Sequence, residues 1–256
     1  MKKSINIAKS WGPGLFWIGL LAFWEVTAGL NLYPTALLPP PGKIFSALVK
    51  DWPLIQKHLI FTLWLTWQGL LLGIGSGLVT AFVVDKFPRF KPYIWPFLTI
   101  SQTLPPFLIY PLLLLLLGFG ETPRVLIAAL VCYFPVAVSF AQGLKQTDPD
   151  KMELFRNMGA KTLVTYRFLR IPSALPALAG GIKVAAAYSV VGVVFGEMMG
   201  GPMEGMGYYM IRKIDTFQPA AVYGAVVLIS LVTLLIIKFF EIWEQKLLSK
   251  RNRSEE

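Results

Sequence analysis

The sequence has few residues of the kinds that carry out nucleophilic or metal chemistry. It contains one cysteine, Cys132, and one histidine, His58. One cysteine excludes a disulfide within the chain and any zinc or iron–sulfur site built from several cysteines, and one histidine excludes a histidine-rich metal centre. We expect Cys132 to pack in an apolar core and His58 to be a solvated residue at an interface.

The sequence also lacks the common phosphate-binding motif of ATPases. The phosphate-binding sequence G-x-x-x-x-G-K-[ST] does not occur in the chain. Because that loop cradles nucleotide phosphates, we do not expect the chain to hydrolyse ATP by itself. An enzyme active site would be hard to assemble from one histidine, one cysteine and no paired acids in the apolar segments.

The composition is that of a membrane protein. Of the 256 residues, 55% are hydrophobic and 15% are charged, and the mean hydropathy is +0.60. About 20 apolar residues cross the roughly 30 Å hydrocarbon core of a bilayer as a helix. Six stretches are long enough, at about 11–30, 59–84, 93–117, 125–144, 175–195 and 220–240. The third contains Pro96, Pro105, Pro106 and Pro111 and must be kinked.

The positive charge has a simple distribution. The chain carries 24 Lys and Arg residues against 14 Asp and Glu, a net charge of +10. Most of the cations stand before the first span, after the second and fourth spans, and in the C-terminal tail. The positive-inside rule therefore places both termini in the cytoplasm. Membrane insertion and anionic lipid account for the charge, so we expect no nucleic-acid partner.

Polar groups near the apolar stretches are functional candidates by default. For Glu25 we expect a structural hydrogen bond. For Glu197, at the end of the fifth span, a gating or loop-anchoring role and a solvated helix end both stay open. The other candidates for lining a translocation pathway are Ser101, Gln102, Tyr110 and Ser189.

Small residues in the fifth span predict close helix packing. They are Gly180, Gly181, Ala185, Ala186, Ala187 and Gly192. Packing between two copies of the chain and packing within one copy are both consistent with the pattern. Outside the spans, residues 38–57 predict a short amphipathic helix on the external membrane surface.

The loop at residues 146–176 is longer than a connection between two spans requires. Asp148 is a good N-cap, Pro149 suits the first helical position, and Gly159 is a helix-ending residue. Between them, Met152, Phe155 and Met158 fall about one turn apart on one face. A second helix is predicted from Thr162 to Leu169, stopped by Pro172.

This loop resembles the cytoplasmic loop of the inner-membrane subunits of ATP-binding-cassette importers. The family pattern is E-A-A, three residues, glycine, nine residues, and I-x-L-P. Glu153 stands at the acidic position, Gly159 is the glycine, and residues 169–172 (Leu-Arg-Ile-Pro) form the ending. Leu154 and Phe155 replace the usual two alanines, which we interpret as bulkier packing in the partner's groove. The stretches LLPPPGKIFSAL, LLLLLLGFGE, SALPALAGGIKVA and GEMMGG…GMGYYM resemble the branch that imports sulfonates, taurine, nitrate or thiamine precursors.

The resemblance implies an all-α membrane protein with the type I importer fold. Residues 1–256 would form a single permease domain in the plasma (inner) membrane, with six transmembrane helices and a cytoplasmic coupling helix between helices four and five. The implied partners are two cytoplasmic ATPase subunits, which bind ATP and Mg²⁺, a second permease copy, and an extracytoplasmic solute-binding protein. No cofactor is expected in this chain. The residues implied to couple to the ATPase are Met152, Glu153, Phe155, Arg156, Met158, Gly159, Ala160, Leu169, Ile171 and Pro172.

A secondary transporter or channel that works without an ATPase is the alternative. Such a protein would also cross the membrane several times, but it would need coupling acids or a filter in mid-membrane. The central spans are poor in ionisable residues. A loop built for docking would have no purpose in such a protein.

Overall fold

The computed structural model describes residues 7–103 and 105–252, without the side chains of residues 7–13, 101, 102, 107 and 247–252. The expected all-α architecture is confirmed for this part of the chain. Its helices are α1 (Ile7–Gly29), α2 (Pro41–Lys50), α3 (Trp52–Lys86), α4 (Lys91–Thr103), α5 (Pro106–Leu117), α6 (Thr122–Lys145), α7 (Pro149–Asn157), α8 (Thr162–Thr165), α9 (Ile171–Met198), α10 (Met206–Asp215) and α11 (Pro219–Asn252).

Within the described residues, four helical stretches are long and apolar enough to cross a membrane. They are Trp52–Lys86, Thr122–Lys145, Thr162–Met198 and Pro219–Lys246. They contain the predicted second, fourth, fifth and sixth spans. The predicted first span falls on a shorter apolar helical stretch, Gly14–Gly29, and the C-terminal part of the predicted third span falls on another, Leu108–Leu117.

The predicted third span is two helices rather than one kinked helix. α4 ends at Thr103, and Pro105 has extended backbone angles before α5 begins at Pro106. Two consecutive prolines lack amide hydrogens, and each disfavours helical geometry in the residue before it. Pro96 and Pro111, in contrast, lie inside α4 and α5.

The predicted stop at Pro172 is wrong. α8 runs through a π-helical turn, Tyr166–Arg170, directly into α9. The wider hydrogen-bond spacing of a π-helical turn lets a helix pass a residue whose nitrogen carries no hydrogen. The second predicted helix of the loop and the fifth span are therefore one continuous helical stretch, Thr162–Met198.

One compact unit comprises residues 57–208 together with the described residues from 229 onward. Its core lies between α3, α6 and α9. Gly69, Gly73 and Gly77 of α3 touch α6 closely, and a Cβ added at Gly73 would lie 2.5 Å from the Cβ of Cys132. Gly181 and Gly192 of α9 contact Ser139 and Ala128 of α6 in the same way. These two small residues therefore serve packing within one copy, and Cys132 is a core residue as predicted.

A second compact unit comprises the described residues up to 56 together with 209–228. α2 is the predicted amphipathic helix, with Ile44 buried and Phe45 and Val49 exposed. The Gly42 amide donates a 2.9 Å hydrogen bond to the carboxylate of Glu25, which confirms the structural role expected of that acid.

Candidate functional site

Helix α7 begins and ends where the sequence predicts. Asp148 caps the start, because its Oδ1 accepts a 2.9 Å hydrogen bond from the amide of Asp150. At the other end the Gly159 amide donates to the carbonyl of Arg156 and the Ala160 amide to the carbonyl of Phe155, both at 3.0 Å. This pair of bonds is the Schellman motif, which places the residue after the helix in the left-handed region. Gly159 has φ of +70°, so a glycine suits this turn.

The apolar side chains of α7 divide into two groups. Leu154 and Met158, one turn apart, are 56% and 73% exposed. Met152 and Phe155 are half-buried against their own chain. The spacing predicts one shared face for Met152, Phe155 and Met158, but only Met158 of these is exposed.

The remaining loop residues of the predicted coupling set are also split. Glu153, Arg156 and Pro172 are exposed, Ala160 and Ile171 are half-buried, and Leu169 is buried. Four apolar side chains of the loop that lie outside that set are also exposed, namely Leu154, Leu163, Val164 and Phe168. We use the name loop face for the five exposed large apolar side chains of this loop, Leu154, Met158, Leu163, Val164 and Phe168.

A polar cluster that was not predicted from the sequence connects this loop to α3 and α6. The guanidinium of Arg170 forms a two-pronged ion pair with Asp85, with Nη1–Oδ2 at 2.6 Å and Nη2–Oδ1 at 2.8 Å. The Tyr166 hydroxyl donates to Oδ2 of the same aspartate, and Nη2 of Arg170 also donates to the carbonyl of Leu144 at 3.1 Å. We use the name Asp85 cluster for Asp85, Tyr166 and Arg170. No local pattern marks it, because Asp85 and Arg170 are 85 residues apart in sequence.

A second buried polar site surrounds Glu197 near the end of α9. Glu197 is 2% exposed and accepts hydrogen bonds from the Thr62 hydroxyl at 2.8 Å and from the Gly207 amide at 2.9 Å. Thr62 in turn accepts from the Met206 amide at 2.8 Å. The solvated-helix-end interpretation of Glu197 is therefore wrong, and the carboxylate anchors the start of α10.

Arg124 and His58 hold the loop that precedes α10. Arg124 is fully buried, and its guanidinium donates to the carbonyls of Gly200, Pro202 and Glu204 at 2.8–3.2 Å. Nδ1 of His58 accepts from the Gly205 amide at 3.0 Å, so the expectation of a solvated histidine is wrong. Sequence position alone placed both residues at span ends, where a solvated side chain is the usual outcome.

The pathway candidates have varied positions. Tyr110 is buried and donates to the carbonyl of Gly200 at 3.2 Å, and Ser189 is buried and donates to the carbonyl of Ala186 at 2.8 Å. The side chains of Ser101 and Gln102 lie outside the described residues. None of the described candidates faces an open surface of the single chain.

The chain is similar to proteins of known families. Residues 69–254 match the family described as the binding-protein-dependent transport system inner membrane component. The chain belongs to this family. It is therefore a membrane component of a transport system, and the resemblance identified in the sequence is confirmed.

Named relatives of this permease cover most of its length. It is 32% identical over 223 residues to a Haemophilus influenzae protein named as a probable ABC transporter permease, covering 87% of this chain and 90% of that protein. It is 30% identical over 235 residues to the formylaminopyrimidine transport permease protein ThiX of Halalkalibacterium halodurans, covering 92% of each. It is 23% identical over 225 residues to the taurine transport system permease protein TauC of Escherichia coli, covering 85% of this chain and 81% of that protein.

A solved structure has the same fold. A chain of the MetNI methionine ABC transporter, in inward-facing conformations, aligns with a TM-score of 0.67 at 16% identity and covers 77% of this permease and 96% of that chain. The relatives and the fold together identify the chain as the transmembrane permease subunit of an ATP-binding-cassette importer.

Proposed function

We propose that the loop at residues 146–176 is the coupling element through which a separate cytoplasmic ATPase drives this permease. The observation that carries the proposal is α7 itself, a capped helix that exposes Leu154 and Met158 although it lies outside the long apolar stretches. Apolar side chains exposed on a rigid helix are what a partner's groove can bury.

The roles within the coupling set follow from burial. Met158, together with Leu154 from outside the predicted set, would form the buried contacts with the ATPase, while Glu153 and Arg156 are rim charges that set orientation and partner choice. Gly159 ends the helix and so fixes its length. The residues that hold the loop in shape from within are Met152, Phe155, Ala160, Leu169 and Ile171.

We further propose the topology and the assembly. The chain would cross the membrane six times with both termini in the cytoplasm, as its cation distribution favours. ATP and Mg²⁺ would be bound by two ATPase subunits, since this sequence lacks the phosphate-binding loop. Two permease copies would form the pathway between them, and an extracytoplasmic binding protein would deliver the solute.

The proposed solute is a small sulfonate, taurine, nitrate or a thiamine pyrimidine precursor. The names of the relatives for formylaminopyrimidine and taurine support this range. Ser101 and Gln102 are the proposed pathway contacts. Tyr110, Ser189 and Glu197 are buried in the single chain, so they would reach the pathway only after helices rearrange.

Uptake of labelled solutes tests the proposed function. Cells carrying the permease, its binding protein and its ATPase should accumulate at least one of labelled taurine, methanesulfonate and formylaminopyrimidine. A variant of the ATPase that binds but does not hydrolyse ATP should abolish uptake while the permease remains in the membrane. Uptake that continues with the inactive ATPase would instead establish the secondary-transporter alternative.

A further inference from the structure

The Asp85 cluster ties three helices together at one point. Asp85 is in the last turn of α3, Arg170 is the residue before α9, and the carbonyl that Arg170 also contacts belongs to Leu144 in the last turn of α6. The side chains of Arg170 and Asp85 are 17% and 7% exposed. The contact is thus shielded from water and sits where these helices end.

The chemistry of the contact makes it stiff. A guanidinium and a carboxylate that share two parallel hydrogen bonds are fixed in one plane, which a lysine could not reproduce. The Tyr166 hydroxyl adds a third donor to the carboxylate, and the Arg170 guanidinium lies over the Tyr166 ring at 4.7 Å. Removing one partner would leave a largely buried charge without compensation.

The same residues also adjoin the coupling helix. Tyr166 and Arg170 begin and end the π-helical turn that joins α8 to α9. They line a cavity of about 200 Å³ whose other walls are Met152, Arg156, Ala160, Thr162 and Thr165. Met152 and Arg156 of α7 therefore line the same cavity as the two side chains that hold Asp85.

We propose that the Asp85 cluster is a positioning device that makes the cytoplasmic ends of α3 and α6 move with α7 when the ATPase subunits close. This inference rests on the proposed coupling function and adds the route by which movement enters the membrane helices. Because packed elements shift as units between discrete arrangements, a stiff link converts displacement of the π-helical turn, which shares a cavity with α7, into displacement of α3 and α6, to which the turn is hydrogen-bonded. Without the link, α7 follows the ATPase and α3 does not.

Distance measurements on the assembled transporter test this inference. Single cysteines at the exposed positions 157 and 86 (Asn157→Cys or Lys86→Cys, in a Cys132→Ala background) carry spin labels in the complex of two permeases and two ATPases in nanodiscs. In the otherwise unchanged permease, ATP with vanadate should shift both the 157–157 and the 86–86 distances between copies by a few ångström. In Asp85→Asn, the 157–157 distance should shift as before, whereas the 86–86 distance should stay at its nucleotide-free value.

Companion variants separate positioning from general stability. Arg170→Lys, which keeps the charge but not the two-pronged geometry, should behave like Asp85→Asn. Glu244→Gln breaks the 2.9 Å ion pair with Lys183 in the same unit and should leave both distance shifts intact.

The possible outcomes separate this inference from the coupling proposal. An 86–86 shift of unchanged size in both Asp85→Asn and Arg170→Lys would overturn the positioning role and leave coupling intact. Failure of the ATPase to bind the unlabelled, unmutated permease would overturn the coupling proposal, and the positioning role with it.

Discussion

The Thr62 hydroxyl donates a 2.8 Å hydrogen bond to the carboxylate of Glu197, which lies 135 residues further along the chain. Both groups are buried, and each also accepts a hydrogen bond from an amide at the start of α10. A buried carboxylate with several donors stabilises the chain segments that supply them, because each donor would otherwise be buried without a partner. Glu197 therefore fastens α10 to α3 and α9 and is not a solvated helix end.

Replacing Glu197 should destabilise the permease. In Glu197→Ala, the Gly207 amide and the Thr62 hydroxyl lose their shared acceptor, and each unpaired buried group costs about 1–3 kcal/mol. Glu197→Gln keeps one carbonyl oxygen and should cost less. The unfolding temperatures of the purified variants in detergent measure the order of their stabilities. Glu121→Ala, at an exposed acid, is the control. Equal unfolding temperatures for Glu197→Ala and the control would contradict this role.

Arg124 should govern the mobility of the loop that precedes α10. Its guanidinium holds three carbonyls between Gly200 and Glu204, and lysine can donate to fewer of them. Losing about 1–3 kcal/mol of local stabilisation in Arg124→Lys should speed amide hydrogen exchange there roughly 5- to 150-fold. Exchange in α7 should not change and serves as the internal control. Faster exchange throughout the protein would point to a global effect instead.

Gly159 should tolerate asparagine but not valine. Its φ of +70° strains L-residues by about 1–2 kcal/mol, and asparagine adopts this region more readily than a β-branched residue does. A Cβ would meet no neighbouring atom within 4 Å, so backbone strain is the only local penalty. ATPase affinity measured with purified components should fall for Gly159→Val and stay near normal for Gly159→Asn. Similar losses for both variants would show that backbone conformation is not the cause.

The carboxylate of Asp51 gives a pH-dependent prediction. Burial alone would raise its pKa, but hydrogen bonds from Lys213 and from the Tyr209 hydroxyl outweigh burial and hold the pKa below its ordinary value of 3.8. The charged form is thus stabilised by folding, so the stabilisation is complete above that value and is lost as the pH falls through the lowered pKa. Asp51→Asn should unfold at a lower temperature than the unmutated protein near neutral pH.

The difference in unfolding temperature between Asp51→Asn and the unmutated protein should become smaller in acid, because the Asp51 carboxylate of the unmutated protein becomes protonated. Asp215→Asn, at an exposed acid of α10, is the matched control and should behave like the unmutated protein at every pH. A difference between Asp51→Asn and the unmutated protein that is independent of pH would exclude the ion pair as its source.

Local signals account for what could be predicted from sequence. The bounds of α7 follow from Asp148, Pro149 and Gly159, each of which acts on backbone groups within one turn of itself. The long spans follow from apolar length alone. The family pattern in the loop identified the class of protein because it compares residues one by one, without needing their contacts.

Long-range contacts account for what could not be predicted. The burial of His58 and Arg124 depends on a loop more than 70 residues away, and the pairing of Asp85 with Arg170 depends on how three helices end together. Periodicity grouped Met152 and Phe155 with Met158, because it records spacing but not which side of a helix the rest of the chain covers. The break at Pro105 and Pro106 could not be predicted from the presence of proline alone, because Pro96 and Pro111 leave their helices continuous.

Titration of the purified ATPase against the permease in nanodiscs tests the central claim most directly. Met158→Asp places a charge at a 73% exposed side chain of the loop face, and Met203→Asp makes the same change at a 75% exposed methionine of the loop before α10. Coupling through α7 predicts that Met158→Asp weakens ATPase binding by about tenfold or more, equal to about 1.4 kcal/mol, while Met203→Asp leaves it unchanged. Equal affinity for Met158→Asp and the unmutated permease would contradict the account.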